Sequence, residues 1–442
     1  MFQTKICLSL TVATLFLGLT LQSAAAQPAA DSSAVKPKTL TLDECLELAL
    51  RNNKTIQADQ QNIVAAKEAV RQAEGGYLPT LGYAAAYNNT DPATTLSPSS
   101  DKASNYYSGT ISATVPWDLS GKLGASLKLA QLKLASVQET LRKDKQTLIY
   151  NVKNGYYQVW LAERQLEVQR AAYDNLDRHY QQVRVFFEAG TRSKYNLFQA
   201  QVQRDTIKPK IMSAENTLAL SKLKLATEIG LPGDQDFTVA FDASKLQMPN
   251  APAATLGELL AAAYQNRPEL RQYQQNIEMS KAQTQLDAAG KKPAASLSAS
   301  YKGTNRDLDL DGWNRTWNLT VGISGNFYDG GVTKAKVAQD KATEQVNIIK
   351  ESDLRDQIRL GAEQVLQNLG HSIEVTRANQ ASIDLAKETL EMTQARYEAG
   401  MATTMDIMDA EVALDTYLDN YYQGIVTYLA AVANLDLVAG KD

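Results

Sequence analysis

The stretch YEAGMATTMDIMDA, from Tyr397 to Ala410, decides the fold because it ends one long helical pattern and starts the next. An earlier stretch, FEAGTRSKYNLFQA from Phe187 to Ala200, has the same plan. In both, the helix stops at glycine and restarts at Ser193 or Thr403, residue types whose hydroxyls cap helix starts. Each stretch therefore predicts a tight turn between antiparallel helices. We call them the first tip (187–200) and the second tip (397–410).

The sequence consists of two similar copies of one unit, and each copy contains one tip. Thr41 aligns with Thr255, and the sequence QQNI at residues 60–63 recurs at residues 274–277. The two tip glycines are slightly fewer residues apart than Thr41 and Thr255 are. The two copies therefore differ in length, and this difference falls in a loop between these aligned positions. The predicted division is a first repeat at residues 27–230, a linker at 231–254 and a second repeat at 255–442.

Each copy predicts the order helix, two strands, long helix, tip, helix. After Pro79 and Pro293 the apolar period changes from helical spacing to alternation. Each strand of about ten residues has an apolar, aromatic face and a small, polar face, which is typical of a strand between lipid and water. A soluble sheet packed on helices would show the same alternation, so this alternative stays open. The linker contains a further short strand pattern at residues 237–241.

Two helical patterns, from about Lys122 to Glu188 and from about Thr333 to Glu398, are too long for a compact domain. At about 1.5 Å per residue each spans on the order of 100 Å. Leucines at seven-residue steps predict coiled-coil packing, with neighbours from other subunits; they are Leu127, Leu134, Leu141 and Leu148. Pro209 predicts a kink or short break in the helix after the first tip.

Residues 1–26 are typical of a secretory signal, with Lys5 before an apolar run at residues 6–21. Cys7 would leave with this signal, so Cys45 remains alone and no internal disulfide is expected. The formal net charge is −4 and no basic patch is present, which argues against a nucleic-acid partner. After the signal, no stretch of about 18 consecutive apolar residues predicts a transmembrane helix.

Any membrane passage must therefore be built from strands, which have to close because unpaired edges are costly in lipid. A closed barrel needs at least about eight strands. The chain offers four, and three subunits would supply twelve. The predicted fold class is mainly α with transmembrane β: four strands per chain in a trimeric twelve-stranded β-barrel, continued by a long coiled-coil α-helical barrel.

The chain resembles the TolC-like outer-membrane efflux protein family over essentially its whole mature length. The residues that carry the resemblance are the strand entries, the strand exits and the two tips; besides the tips, they are Pro79, Pro293, residues 117–121 (WDLSG) and residues 327–331 (FYDGG). The resemblance implies a homotrimeric outer-membrane channel that extends into the periplasm. Its tips would close the conduit and dock a periplasmic adaptor joined to an inner-membrane transporter, as in tripartite efflux and type I secretion systems.

The family's constriction, carried over by position, falls on Tyr397, Asp406 and Asp409. The two aspartates lie three residues apart and share a helix face, so three subunits would bring six carboxylates together. Such a ring favours cations. Asp406 also stands three residues after Thr403, where it would complete a capping box, and Asp409 is equally compatible with an ordinary exposed helix carboxylate.

The tips themselves are the expected adaptor-docking surface: Ala189, Gly190, Thr191, Ala399, Gly400 and Met401. An alternative is that the glycines serve only the left-handed turn conformation. The sequence departs from the family's pattern at Ala402, where an arginine often ties the tips, and at Asn196, where an acidic partner for the tyrosine can occur. Arg192 on the first tip is the candidate substitute for that tie.

Catalysis is not expected, because the sequence contains no nucleophile elbow or phosphate loop. Neither His179 nor His371 belongs to a cluster of metal ligands. No cofactor or metal is expected either. The competing hypothesis from another class is a non-conducting coiled-coil scaffold of the cell envelope, which conductance measurements would distinguish from a channel. The sequence does not indicate which substrate is exported.

Overall fold

The computed structural model describes residues 38–90, 104–232, 236–246, 255–306 and 312–441. The predicted signal (1–26) and parts of the linker (233–235 and 247–254) lie outside the described residues. Within the described ranges, each copy has two short helices, a strand pair, a long helix and a return helix.

The helices of the first copy are α1 (Leu42–Asn52), α2 (Lys54–Gly75), α3 (Lys122–Glu188) and α4 (Lys194–Ile229). Those of the second copy are α5 (Leu256–Asn266), α6 (Pro268–Ala288), α7 (Val332–Glu398) and α8 (Thr404–Val438). The long helices α3 and α7 have 67 residues each, so each is about 100 Å long, as predicted. No described helix is both long and apolar enough to cross a membrane.

The first helix of each copy is divided, which the sequence reading did not predict. Asn53 has extended backbone angles between α1 and α2, and its side chain accepts hydrogen bonds from the N–H groups of Thr55 and Ile56. Arg267 has similar angles before Pro268 in the second copy. Of the kink or short break predicted at Pro209, the break is wrong, because α4 continues through this residue, and the kink stays a prediction.

The strand hairpins of the two copies join in one antiparallel sheet of β2 (Thr80–Thr90), β3 (Ser104–Trp117), β5 (Ala294–Asn305) and β6 (Asn314–Ser324). The order is β2-β3-β5-β6, so β2 and β6 each have one neighbour within the described residues.

The register of this sheet places the predicted apolar residues on one face. Tyr83 pairs with Ile111, Ile111 with Tyr301, and Tyr301 with Trp317. Tyr83 is 90% exposed and Trp317 is 78% exposed, so the described residues do not cover this face. The opposite face is small and polar, with Ser112, Ser300 and Asn318 in one row.

Equivalent aspartates direct the chain from the strands into the long helices. Asp118 accepts hydrogen bonds from the N–H groups of Leu123 and Gly124 at the start of α3. Asp329 accepts from the N–H groups of Gly331 and Thr333 at the start of α7. Hydrogen bonding by Thr333 lowers the pKa of Asp329 to about 2. The aspartates therefore cap the two longest helices in place of an N-cap side chain.

The main core lies midway along the helices, where a small parallel sheet packs on α3. Its strands are β1 (Lys38–Leu40) and β4 (Phe237–Val239), the latter matching the strand predicted in the linker. Leu40, Tyr156 and Phe237 are almost completely buried there, and the Tyr156 hydroxyl donates to the Leu40 carbonyl at 3.3 Å. This core fixes the start of the first copy and the linker to the same level of α3.

Candidate functional site

The two tips are glycine turns of the predicted kind. Gly190 and Gly400 have φ values of +76° and +74°, a conformation that favours glycine. The Thr191 N–H donates to the Phe186 carbonyl at 2.9 Å, and the Met401 N–H donates to the Arg396 carbonyl at 2.8 Å. A Cβ added at either glycine would meet no described atom within 4 Å, so the backbone angle, and no close approach, explains the glycine.

Asp406 completes a capping box at the start of α8. Its carboxylate accepts from the Thr403 N–H at 2.6 Å and from the Thr403 hydroxyl at 2.8 Å, while its own N–H donates to that hydroxyl at 3.3 Å. The hydrogen bond from the Thr403 backbone is the largest cause that lowers the pKa of Asp406. The capping interpretation is therefore confirmed, and the carboxylate remains exposed and ionised.

Asp409 is exposed one turn further along α8. The face that it shares with Asp406 continues through the half-buried Ala413 and the exposed Thr416 and Asn420. A polar stripe thus leads away from the second tip, and no described element of the same chain covers it.

Tyr397 does not accompany the aspartates at the surface, since it is only 5% exposed. It packs against Leu390, Ile407 and Ala410, with Ala402 at the margin of the cluster. The His179 ring lies edge-on to the Tyr397 ring, with the ring centroids 5.0 Å apart. Within one chain, Tyr397 therefore joins α7 and α8 to α3.

Arg192 of the first tip also contacts Tyr397. The guanidinium carbon lies 5.5 Å from the centroid of the Tyr397 ring, within the range of a cation–π interaction. The Asn196 side chain accepts from the Ser193 hydroxyl and thus belongs to the cap of α4. Of Arg192 and Asn196, Arg192 is the one that reaches the second copy.

A cavity of about 250 Å³ lies beside Tyr397, and two buried titratable groups that the sequence did not single out as a site line it. They are His179 on α3 and Glu411 on α8, which are 7% and 6% exposed. The His179 Nε2 atom has no hydrogen-bond partner among the described residues. Their spacing from the tips carried no recognisable motif, so only the packing of α3 on α8 shows that they share a cavity.

The pKa values of these groups move in opposite senses. Burial lowers the pKa of His179, and the charge of Arg192 adds to the shift. Burial raises the pKa of Glu411 to about 7, with a further contribution from Asp415 and an opposing one from Arg178. Both groups therefore favour the neutral state at their buried positions. Within the described residues, no group of three His, Cys, Asp or Glu side chains is arranged to hold a metal ion.

Two copies of a strand-pair and long-helix unit, with one bare apolar sheet face and two glycine tips, define the class of TolC-like outer-membrane channels. The chain belongs to the outer membrane efflux protein family, whose profile matches residues 45–231 and 259–441.

Curated relatives and a solved structure agree with this family. The chain is 24% identical over 420 residues to outer membrane protein TolC of Vibrio cholerae, covering 92% of each protein. It is 24% identical over 408 residues to the alkaline protease secretion protein AprF of Pseudomonas aeruginosa, covering 89% of this chain and 83% of that protein. A membrane protein from Pseudomonas aeruginosa has the same fold, with a TM-score of 0.82 at 18% identity over 94% of this chain and 96% of that chain.

The family match confirms the predicted resemblance, the TolC-like fold, the outer-membrane location and the function as an outer-membrane efflux channel. It does not favour the scaffold alternative.

Proposed function

We propose that three copies of the chain close their sheets into one twelve-stranded barrel and continue it with a barrel of α3, α4, α7 and α8 across the periplasm. The observation that carries this proposal is the four-stranded sheet, with one exposed apolar face and with β2 and β6 as its edges among the described residues. In lipid each unpaired backbone group costs several kcal/mol, and four strands cannot close alone. The product is a passive, water-filled conduit.

The proposed chain organisation is a signal at residues 1–26, repeats at 27–230 and 255–442, and a linker at 231–254. The tips are the end far from the sheet, and their exposed small surface would dock a periplasmic adaptor joined to an inner-membrane transporter. The docking residues are Ala189, Gly190, Thr191, Ala399, Gly400 and Met401. The secretion role named for AprF supports type I secretion as well as efflux. The chain would act without catalysis or cofactor.

We place the gate at the second tip. Asp406 and Asp409 are exposed on one face of α8, so three copies would line the narrow end with six carboxylates that attract cations. Tyr397 would act from inside each subunit, holding α7 and α8 against α3 through His179 and Arg192.

Planar-bilayer conductance tests the conduit and the gate together. Purified wild-type protein should form cation-selective channels, and Asp406→Asn with Asp409→Asn should reduce that selectivity. Asn at position 406 keeps an oxygen that can accept from the Thr403 N–H, so the cap survives while the charge is lost. Asp384→Asn, at an exposed position of α7, is the matched control. An intact trimer without channels would overturn the conduit, and unchanged selectivity in the double variant would overturn the acidic gate.

A further inference from the structure

The apolar face of the sheet contains a groove that has no role in the proposed conduit. Ala85, Gly109 and Gly303 stand side by side in one cross-strand row, with little or no side chain between them. The neighbouring rows are bulky: Tyr83, Ile111, Tyr301 and Trp317 form one, and Tyr87 and Tyr107 belong to the other. The missing side chains leave a groove of about 440 Å³ across the strands.

A single cation stands at the β6 end of this row. Arg315 pairs with Gly303 across the β5–β6 ladder, and both line the groove. Trp313 lies against Gly303, with a ring atom 2.9 Å from the place where a Cβ would stand. The groove therefore combines apolar and aromatic walls with one exposed guanidinium at its end.

Arg315 is also at the outer end of the sheet. It is the second residue of β6, next to the β5–β6 loop, whereas the long helices leave from the opposite end of the strands. In the barrel arrangement proposed above, on which this inference rests, the helices extend into the periplasm and the apolar face meets lipid. The groove then opens into the outer leaflet of the outer membrane.

We propose that this groove binds a phosphorylated glycolipid of the outer leaflet, the lipid A part of lipopolysaccharide. A phosphate sits on the Arg315 guanidinium, whose planar donor geometry matches phosphate oxygens. An acyl chain lies over Gly109, between the row of Tyr83, Ile111 and Tyr301 and the Trp313 ring that covers Gly303. Charge complementarity selects an anionic headgroup, and the position near the loop end selects the outer leaflet over the inner one.

Two variants remove the two halves of the site separately. Arg315→Gln removes the charge and leaves the groove. Gly109→Val fills the groove without loss of charge; no described atom lies within 4 Å of a Cβ at Gly109, and a β-branched residue suits a strand. Lys302→Gln is the matched control, because Lys302 is on the same strand as Gly303 but on the polar face, in the row of Thr110 and Thr316.

The experiment is native mass spectrometry of the delipidated, detergent-solubilised protein titrated with bis-phosphorylated lipid A. We expect Arg315→Gln and Gly109→Val each to weaken binding about tenfold, and Lys302→Gln to bind like the wild type. Dephosphorylated lipid A should bind the wild type as weakly as lipid A binds Arg315→Gln. Wild-type affinity in both groove variants, equal weakening in Lys302→Gln, or tighter binding of phosphatidylglycerol than of lipid A would overturn the proposal.

Conductance of the same samples separates this site from the proposed function. All three variants should form channels, since none of the three positions is at the tips. A protein that binds lipid A with the expected pattern but forms no channels would leave the lipid site standing and remove the conduit.

Discussion

At the scale of one residue, Glu411 makes the stability of the second tip depend on pH. Its pKa is about 7 in the folded chain, against an ordinary value of about 4.5. Between these values the folded state holds a proton that the unfolded state has lost, so stability falls as the pH rises through this window. Glu411→Gln should therefore stabilise the tip at pH 8 by about 1–3 kcal/mol and have little effect near pH 4.

Hydrogen exchange of the amides at residues 407–415 measures this local opening. Glu398→Gln is the control, because Glu398 lines the same cavity but is exposed. A gain that is equal at pH 4 and pH 8 would show that packing, and not ionisation, is responsible.

His179 should make the stability of the tip depend on pH in the opposite direction once Glu411 no longer titrates. Its pKa is lowered by burial, so the folded state resists the proton that the opened state accepts below about pH 6.5. Burial also raises the pKa of Asp415 to about 6, which would oppose the effect of His179, so the test uses a Glu411→Gln, Asp415→Asn background. In that background, tip stability should fall as the pH drops from 7 to 5, and adding His179→Gln should abolish this fall. The same hydrogen-exchange measurement checks it, and a pH dependence that survives the addition of His179→Gln would assign it to another group.

Arg192→Ala tests the tie between the two tips. A cation–π contact at an exposed site is worth about 0.5–1 kcal/mol, so its loss should raise the open population about two- to fivefold. Single-channel recording in planar bilayers measures the open fraction. Arg184→Ala is the control, since Arg184 lies in the last two turns of α3, close to the first tip, and pairs with Glu188 instead of contacting Tyr397. Equal opening in both variants would mean that Arg192 does not act through the ring.

The glycines that end the return helices work at the scale of elements. Gly230 ends α4 and Gly440 follows α8, and both have a φ of +69°. A Cβ on Gly230 would lie 2.7 Å from the Asn52 Cβ, and one on Gly440 would lie 2.9 Å from the Arg267 backbone N. Each return helix therefore packs its end against the division between the two short helices of its copy.

Gly230→Ala should consequently cost more stability than Gly190→Ala. Both substitutions force alanine into the left-handed region, at about 1–2 kcal/mol, but only Gly230 adds a clash with backbone and Cβ atoms. Thermal unfolding in detergent should rank Gly230→Ala clearly below Gly190→Ala. Equal midpoints would show that the neighbouring helix moves aside.

The order of the elements and the two faces of each strand were predictable, because hydrophobic periodicity and turn residues are signals that neighbouring residues in the sequence provide. The division at Asn53 was not, because the apolar pattern of α1 and α2 continues across it, and the contact that joins Asn53 to the end of α4, from its side-chain amide to the Glu228 carbonyl, is distant in sequence. The short strand β1 was missed for the same reason, since its partner β4 is almost 200 residues away. In the site, the cap at Asp406 was readable from spacing, whereas the approach of His179 to Tyr397 depends on how two coiled coils pack.

At the scale of the whole molecule, the edges β2 and β6 should meet in neighbouring subunits. In a closed antiparallel barrel, residues that face each other across this new ladder lie on the same face. Tyr83→Cys in β2 should therefore form a disulfide with a cysteine on the apolar face of β6, tested in turn at Trp317, Leu319 and Val321, in a Cys45→Ser background. Non-reducing electrophoresis should show a covalent trimer for at least one pair.

Thr320→Cys provides the matched control for this crosslink. Its side chain belongs to the polar face, in the row of Ser298, so its Cβ points away from Tyr83 whatever the register between subunits. Disulfide geometry requires Cβ atoms within about 4.5 Å, which the polar-face pair cannot reach. A folded chain that stays monomeric with every apolar-face pair would contradict the twelve-stranded barrel, because four strands in lipid would then have no partner for their edges.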